Sequence, residues 1–171
     1  MAECSTLEDV LRGCGKNIGS LKQAFYTFQS KVTGLTKNNT TGLITAIAVE
    51  PATTLNVIEF RKNQASFTEA SAINLDNESS LFPITLGINH RRRDGGKSKA
   101  LRKLAEGQPY LFFLVQDGND KWWALENMQY SQQGGGSGAT RADGSNYDMQ
   151  FINEEAETPW EVDAAAVAAI L

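Results

Sequence analysis

The chain has 171 residues, of which 41% are apolar and 21% charged, with a formal net charge of −4. That length makes one domain able to bury a core without a metal or disulfide staple, and the composition excludes collagen-like and disulfide-scaffold classes. No apolar run nears the ~18 residues of a spanning helix, no basic-then-apolar leader opens the chain, so neither membrane nor export is expected, and a mildly acidic balance disfavours whole-surface binding of nucleic acid.

Ser5-Thr6-Leu7-Glu8 fits a capping box, and Leu7, Val10, Leu11 and Cys14 follow an i, i+3, i+4, i+7 stripe. A terminal helix over 5–14 is expected, about two turns long and in need of a docking surface. Leu21 to Phe28, rich in aromatics, reads as a strand. Residues 30–42 read as a polar connection with Asn38 and Asn39 at its tip, either a long hairpin or a surface arm. Leu43 to Val49 and Leu55 to Phe60 are the next strands.

Gln64 to Leu75 and Ser80 to Asn89 form the clearest hairpin, turning at Asp76-Asn77-Glu78-Ser79. In its second half Phe82, Ile84, Leu86 and Ile88 alternate with polar or small residues. Pro83 cannot donate to a ladder, so this strand should lie at an edge or carry a bulge there. Long paired strands with an open edge invite pairing with another chain.

Lys97 to Glu106 reads as a helix with Ala100, Leu101, Leu104 and Ala105 inward and Lys97, Lys99, Arg102 and Lys103 outward, stopped by Gly107 and Pro109. Residues 91–103 hold seven basic side chains and one acid. This stretch is a solvated face, a contact for an acidic neighbouring subunit, or a nucleic-acid contact. Tyr110 to Gln116 and Lys121 to Asn127 form a second hairpin, whose unbroken run Leu111–Val115 suits a strand buried on both faces. Trp122 and Trp123 are adjacent, so in a strand they face opposite ways and both need cover. Residues 131–146 read as a flexible Gly-rich arm containing Gly135 and Arg141, followed by a strand over Tyr147 to Asn153. Asp163 is an N-cap for an alanine-rich terminal helix over 163–171, which would expose Leu171 unless it docks. The fold class is therefore mainly β: an antiparallel sandwich or small barrel with one packed helix, short terminal helices and extended arms.

The chemical inventory is thin. The single histidine, His90, stands beside Arg91, Arg92 and Arg93, and one imidazole cannot build a multi-histidine metal site. Cys4 and Cys14 match no zinc or redox spacing. Ser137 sits in a Gly-rich stretch without the strand of a nucleophile elbow, and no Gly-Lys-Ser/Thr ending marks a phosphate loop. Glu8–Asp9, Glu154–Glu155 and Glu161–Asp163 are carboxylate pairs of the kind any acidic protein carries. No catalytic residue, metal ligand or cofactor is expected, and the protein is not expected to be an enzyme.

Three segments carry a resemblance. Glu3-Cys4-Ser5-Thr6-Leu7-Glu8-Asp9-Val10-Leu11-Arg12-Gly13-Cys14 resembles the N-terminus of virion tail-type proteins from bacteriophages of Bacteroidetes hosts. Residues 136–145, Gly-Ser-Gly-Ala-Thr-Arg-Ala-Asp-Gly-Ser, and the ending Glu161-Val162-Asp163-Ala164-Ala165 resemble the same group. The order of elements is similar to the tail-tube fold. The resemblance implies one tail-tube-like domain over 1–171 with arms at 30–42 and 131–146. It implies a structural virion protein of the tail, made in the host cytoplasm, forming hexameric or dodecameric rings of itself. Its neighbours would be other tail, ring or portal proteins. DNA would cross the lumen without sequence-specific binding, and an acidic wall would repel it. Candidate subunit contacts are Asn38, Asn39, Phe82, Ile84, Arg91, Arg92, Arg93, Trp122, Trp123, Gly135, Arg141 and Leu171. Two other readings stand beside it. A nucleic-acid-binding β-barrel would use Arg91–Arg93 and the two tryptophans, and a hydrolase would use a carboxylate pair across a cleft.

Overall fold

A computed structural model describes Val10 and residues 17–76, 78–155 and 157–171. The helix expected over 5–14 lies, apart from Val10, outside the described residues, as do both cysteines. The described chain is mainly β, a curled half-barrel sheet with two helices, in agreement with the expected class. Its strands are β1 (Leu21–Phe28), β2 (Val32–Asn38), β3 (Leu43–Val49), β4 (Asn56–Val57), β5 (Ala65–Glu69), β6 (Ala72–Asn74), β7 (Ser79–Arg91), β8 (Leu111–Asp117), β9 (Trp122–Gly134), β10 (Asn146–Glu155) and β11 (Trp160–Val162). The helices are α1 (Gly95–Ala105) and α2 (Ala164–Ala168). Neither is long and apolar enough to cross a membrane.

The long strand β9 divides the architecture into two layers. Its first half pairs with β8 on one side and with β11 on the other; its second half pairs with β10. The first layer runs β4-β1-β8-β9-β11-β3-β2, antiparallel except for the β11–β3 pair. The second runs β9-β10-β7, with β5 and β6 sharing the far edge of β7.

Side-chain alternation fills two cores. Between the layers, Phe113, Leu125 and Met128 meet Leu86, Ile88, Tyr147 and Phe151, and Leu101 of α1 closes one side. The Phe113 and Phe151 rings pack 4.7 Å apart at 58°, a tilted arrangement their quadrupoles favour. On the opposite face the first layer curls around α2, and Ile44, Phe112, Leu114, Ala124 and Val162 pack against Ala166 and Val167. The run Leu111–Val115 is thus buried on both faces, with odd residues in the first core and Phe112 and Leu114 in the second. Asp94 caps α1 by accepting from the Lys97 N–H at 2.9 Å, so the helix begins two residues before its expected start. Asp163 caps α2 by accepting from the Ala165 N–H at 3.0 Å.

Several expectations need correction. Of the two readings of 30–42, a long hairpin or a surface arm, the structure has a hairpin, β2–β3, with only residues 39–42 left as its turn. The ladder shifts register between Val32 and Gly34 and again between Thr36 and Lys37, which breaks the period-2 pattern in the sequence. The arm read over 131–146 is also shorter, because residues 131–134 belong to β9 and Asn146 to β10. The expected strand over 55–60 pairs only at Asn56 and Val57, although Ile58 and Phe60 still pack on the first core. The expected terminal helix over 163–171 is helical over 164–168. Pro83 lies on no edge: β10 flanks it on one side, and on the other its carbonyl accepts from the Ala70 N–H at 3.0 Å. The missing Pro83 N–H falls where the partner ladder breaks between β5 and β6.

Candidate assembly surface

The tip of the β6–β7 hairpin projects beyond the body of the fold. The ladder of β10 on β7 ends at Glu155 opposite Phe82, and that of β5 ends at Glu69 opposite Ile84. Beyond them β7 has only β6, with Ala72 opposite Leu81 and Ile73 opposite Ser80. A two-stranded ribbon with no third layer buries little of itself. Ile73 is 65% exposed, Leu75 86% and Leu81 39%. The Asn74 side chain accepts from the Asp76 N–H at 2.9 Å and shapes the turn. The segment from Asn63 to His90 carries Glu69, Asp76 and Glu78 and no lysine or arginine. The ribbon thus leaves apolar side chains clear of their own core beside acidic ones.

The basic stretch divides into held and outward residues. Arg92 has φ +64 and its N–H donates to the Ser145 carbonyl at 2.7 Å. Arg93 donates to the Asn146 carbonyl at 3.3 Å, and its guanidinium lies 4.1 Å from the Tyr147 ring centre. Lys97, expected on the outer face of α1, turns inward instead. Its ammonium donates to the Arg91 carbonyl at 3.2 Å and the Arg92 carbonyl at 2.9 Å. Those two carbonyls, at the end of β7 next to the helix start, supply acceptors within the lysine's reach. Arg91, Arg92, Lys99, Arg102 and Lys103 are exposed. Burial first, and then the Lys97 charge, hold the His90 pKa below its ordinary value.

The Gly-rich loop 135–145 is closed by its own bonds. The Asn146 N–H donates to the Gly136 carbonyl at 3.0 Å, and the Asp143 carboxylate accepts from the Ala139 and Thr140 N–H groups at 3.0 and 2.7 Å. Those bonds lower the Asp143 pKa. Gly135 has φ +93, and a Cβ there would lie 2.4 Å from the Asn146 carbonyl oxygen. Only glycine fits this junction.

The other contact candidates scatter. Asn38 accepts from the Thr40 and Thr41 N–H groups and shapes the β2–β3 turn, with Asn39 exposed beside it. Phe82 is half-buried at the root of the projecting tip. Ile84 is 2% exposed and belongs to the first core, so it offers no surface to a neighbour. Trp122 packs on the second core beside Phe25, and Trp123 on the first beside Phe67. Both tryptophans are therefore largely packing residues, and the paired stacking platform of the nucleic-acid reading is not assembled. Arg141 and Leu171 are exposed. Of the described carboxylate pairs, Glu154 and Glu155 are successive strand residues and face opposite ways. Glu161 accepts from Lys121 at 2.6 Å, and Asp163 caps α2.

Two features escape sequence reasoning. Lys37 of β2 bridges Glu126 and Glu157, each at 3.0 Å, 5.3 Å from the Trp160 ring centre. Burial opposes its charge, but the bonds from Glu157 and Glu126 prevail and raise its pKa. The Glu157 carboxyl is held low by Lys37 and then by the Trp160 N–H. This cluster latches the β2–β3 hairpin to β9 and to the link between β10 and β11; Lys37 lies 120 residues from Glu157 in the chain, beyond any local pattern. The second feature is a broad groove of about 740 Å³ over the outer face of the second layer. Ser66, Gly87, Gln150 and Gln132 line up across four strands there, and Asn89, Asp148 and Gly134 across three. Its lining mixes amides, hydroxyls and glycines with the Asp148 carboxylate and the apolar Ala65, Ile88 and Met149. Among the described residues no group of three or more His, Cys, Asp or Glu stands in position to hold a metal ion.

Compared with protein-family models, curated proteins and solved structures, the chain matches none.

Proposed function

We propose that the protein is a structural subunit of a phage tail. Copies of it build a ring or tube, of the tail or of the connector between portal and tail, around the DNA channel. The observation that carries this reading is the hairpin tip 72–81, which leaves Ile73, Leu75 and Leu81 uncovered by their own chain. Rings arise from heterologous contacts, in which one surface of a subunit meets a different surface of the next. An arm that the monomer cannot bury is a natural donor for such a contact. The phage context rests on the three segments resembling tail-type proteins, and the net charge of −4 suits a conduit through which DNA slides.

Negative-stain imaging and analytical ultracentrifugation of the purified protein test the proposal. Annular or tubular particles are expected. A protein that stays monomeric at high concentration, together with virion fractions that lack it, overturns the reading. Titration with single-stranded DNA at low salt should show no binding; affinity that falls steeply with salt would favour a nucleic-acid-binding barrel instead.

A further inference from the structure

We infer that the hairpin tip of one copy seats in the groove between α1 and the β1–β4 edge of the next copy. The inference rests on the reading of the chain as a self-assembling subunit and names the acceptor for its arm. The groove has a volume of about 200 Å³ and is lined by Tyr26, Phe28, Ala100, Leu104 and Leu111, with Lys103 at its rim. A second hollow of about 150 Å³ shares Tyr26, Ala100 and Leu104 with it and extends to Val57 and Ile58. Phe28 is 51% exposed and Val57 56%. The acceptor thus repeats the property of the donor: large apolar side chains uncovered by their own chain.

Charge supplies the direction. The tip carries Asp76 and Glu78, with Glu69 on β5 below it, and no cation. The exposed side of α1 carries Lys99, Arg102 and Lys103, against Glu106 at its end and Glu59 in the second hollow. Opposite fields at the rims of two apolar surfaces select this pairing and oppose tip-to-tip contact. Distance makes the contact intermolecular. β7 runs 13 residues from the tip to Arg91, about 40 Å of strand, and α1 begins beyond that end. Even running straight back, the 11-residue α1 recovers only about 16 Å. The tip and the groove are built from different residues and form two different surfaces, as a closed ring requires.

A charge swap tests the pairing. One variant carries Asp76→Lys and Glu78→Lys; the other carries Lys99→Glu and Lys103→Glu. All four residues are exposed, and unchanged thermal unfolding by circular dichroism establishes that both fold. By sedimentation, each variant alone should need about tenfold more protein, or more, to reach half-assembly. An equimolar mixture should recover assembly, because each tip then meets a groove of opposite sign. Leu75→Ser and Val57→Ser, neutral changes on the two surfaces, should each weaken assembly without a charge effect. Variants that assemble as well as the parent, or a mixture that stays as dissociated as its components, overturn this contact while leaving the subunit reading in place. A parent protein that is monomeric at every concentration overturns the subunit reading, and this contact with it.

Discussion

The two projecting segments of the molecule differ in a way their sequences conceal. The Gly-rich loop 135–145 has the composition of a flexible linker, yet Asp143, Ser145 and Asn146 tie it to itself and to residues 92–93. The hairpin tip has the alternation of a well-formed strand, yet it leaves the body of the fold with its apolar residues exposed. A loop whose backbone groups are met by nearby acceptors is complete as it stands. A ribbon whose apolar side chains have no opposing layer is complete only against something else.

Substitutions on the two segments sharpen that contrast. The largest effect is expected outside both segments, in the buried half of β7, where Leu86 is fully buried. Leu86→Ala should cost roughly 2–5 kcal/mol in urea denaturation. Next comes Gly135→Ala, which forces a Cβ onto the Asn146 carbonyl at a positive φ; a loss of roughly 2–3 kcal/mol is expected. If Gly135→Ala were neutral, the loop would be as pliable as its composition implies. On the tip, Ile73→Ser and Leu75→Ser together should move monomer stability by only about 0.5 kcal/mol while removing assembly. A large fall in unfolding midpoint would mean that the tip is covered within its own chain. The smallest effect is on the loop and depends on pH. The Asp143 pKa is depressed in the folded loop by the Thr140 and Ala139 bonds, so their contribution is fully present above the ordinary aspartate value of about 3.9. It is lost as pH falls through the lower folded value. The Ala139 and Thr140 amide resonances should report that transition, and Asp143→Asn should abolish it.

The body of the fold was legible where burial dictates sequence. Leu111–Val115 needed two covered faces and has them, and Trp122 and Trp123 went to opposite cores as adjacent strand residues must. Helix caps at Asp94 and Asp163 are local chemistry, and Asp163 could be recognised in advance. Strand β2 was hidden because the extra residue Thr33 breaks its alternation and its inward position 37 is a lysine rather than an apolar residue. Strand β11, three residues long, is defined by its place between β3 and β9 rather than by any local signal. Pro83 was misplaced because a missing N–H can be accommodated by a break in the neighbouring ladder as well as by an open edge. Among the contact candidates, Ile84 was judged by the tip that its strand also builds. Two residues along, past Phe82 and Pro83, the neighbouring strands end, and that boundary is set by β5 and β10, not by β7. The apolar residues beyond it, Ile73 and Leu75 on the other arm of the hairpin and Leu81 next to Phe82, gave no separate sign of exposure.

The adjacency of Trp122 and Trp123 has an optical consequence. Two indoles one peptide unit apart report on two different interiors, one beside Phe25 and the other beside Phe67. Trp122→Phe leaves Trp123 to report the interior between the layers, with Trp160 as the other remaining emitter. Trp123→Phe leaves both emitters in the interior around α2. With Trp160 also replaced by Phe in both variants, their emission, followed through one denaturation, would time the loss of each interior separately, with no added dye and with the two probes fixed on the same strand.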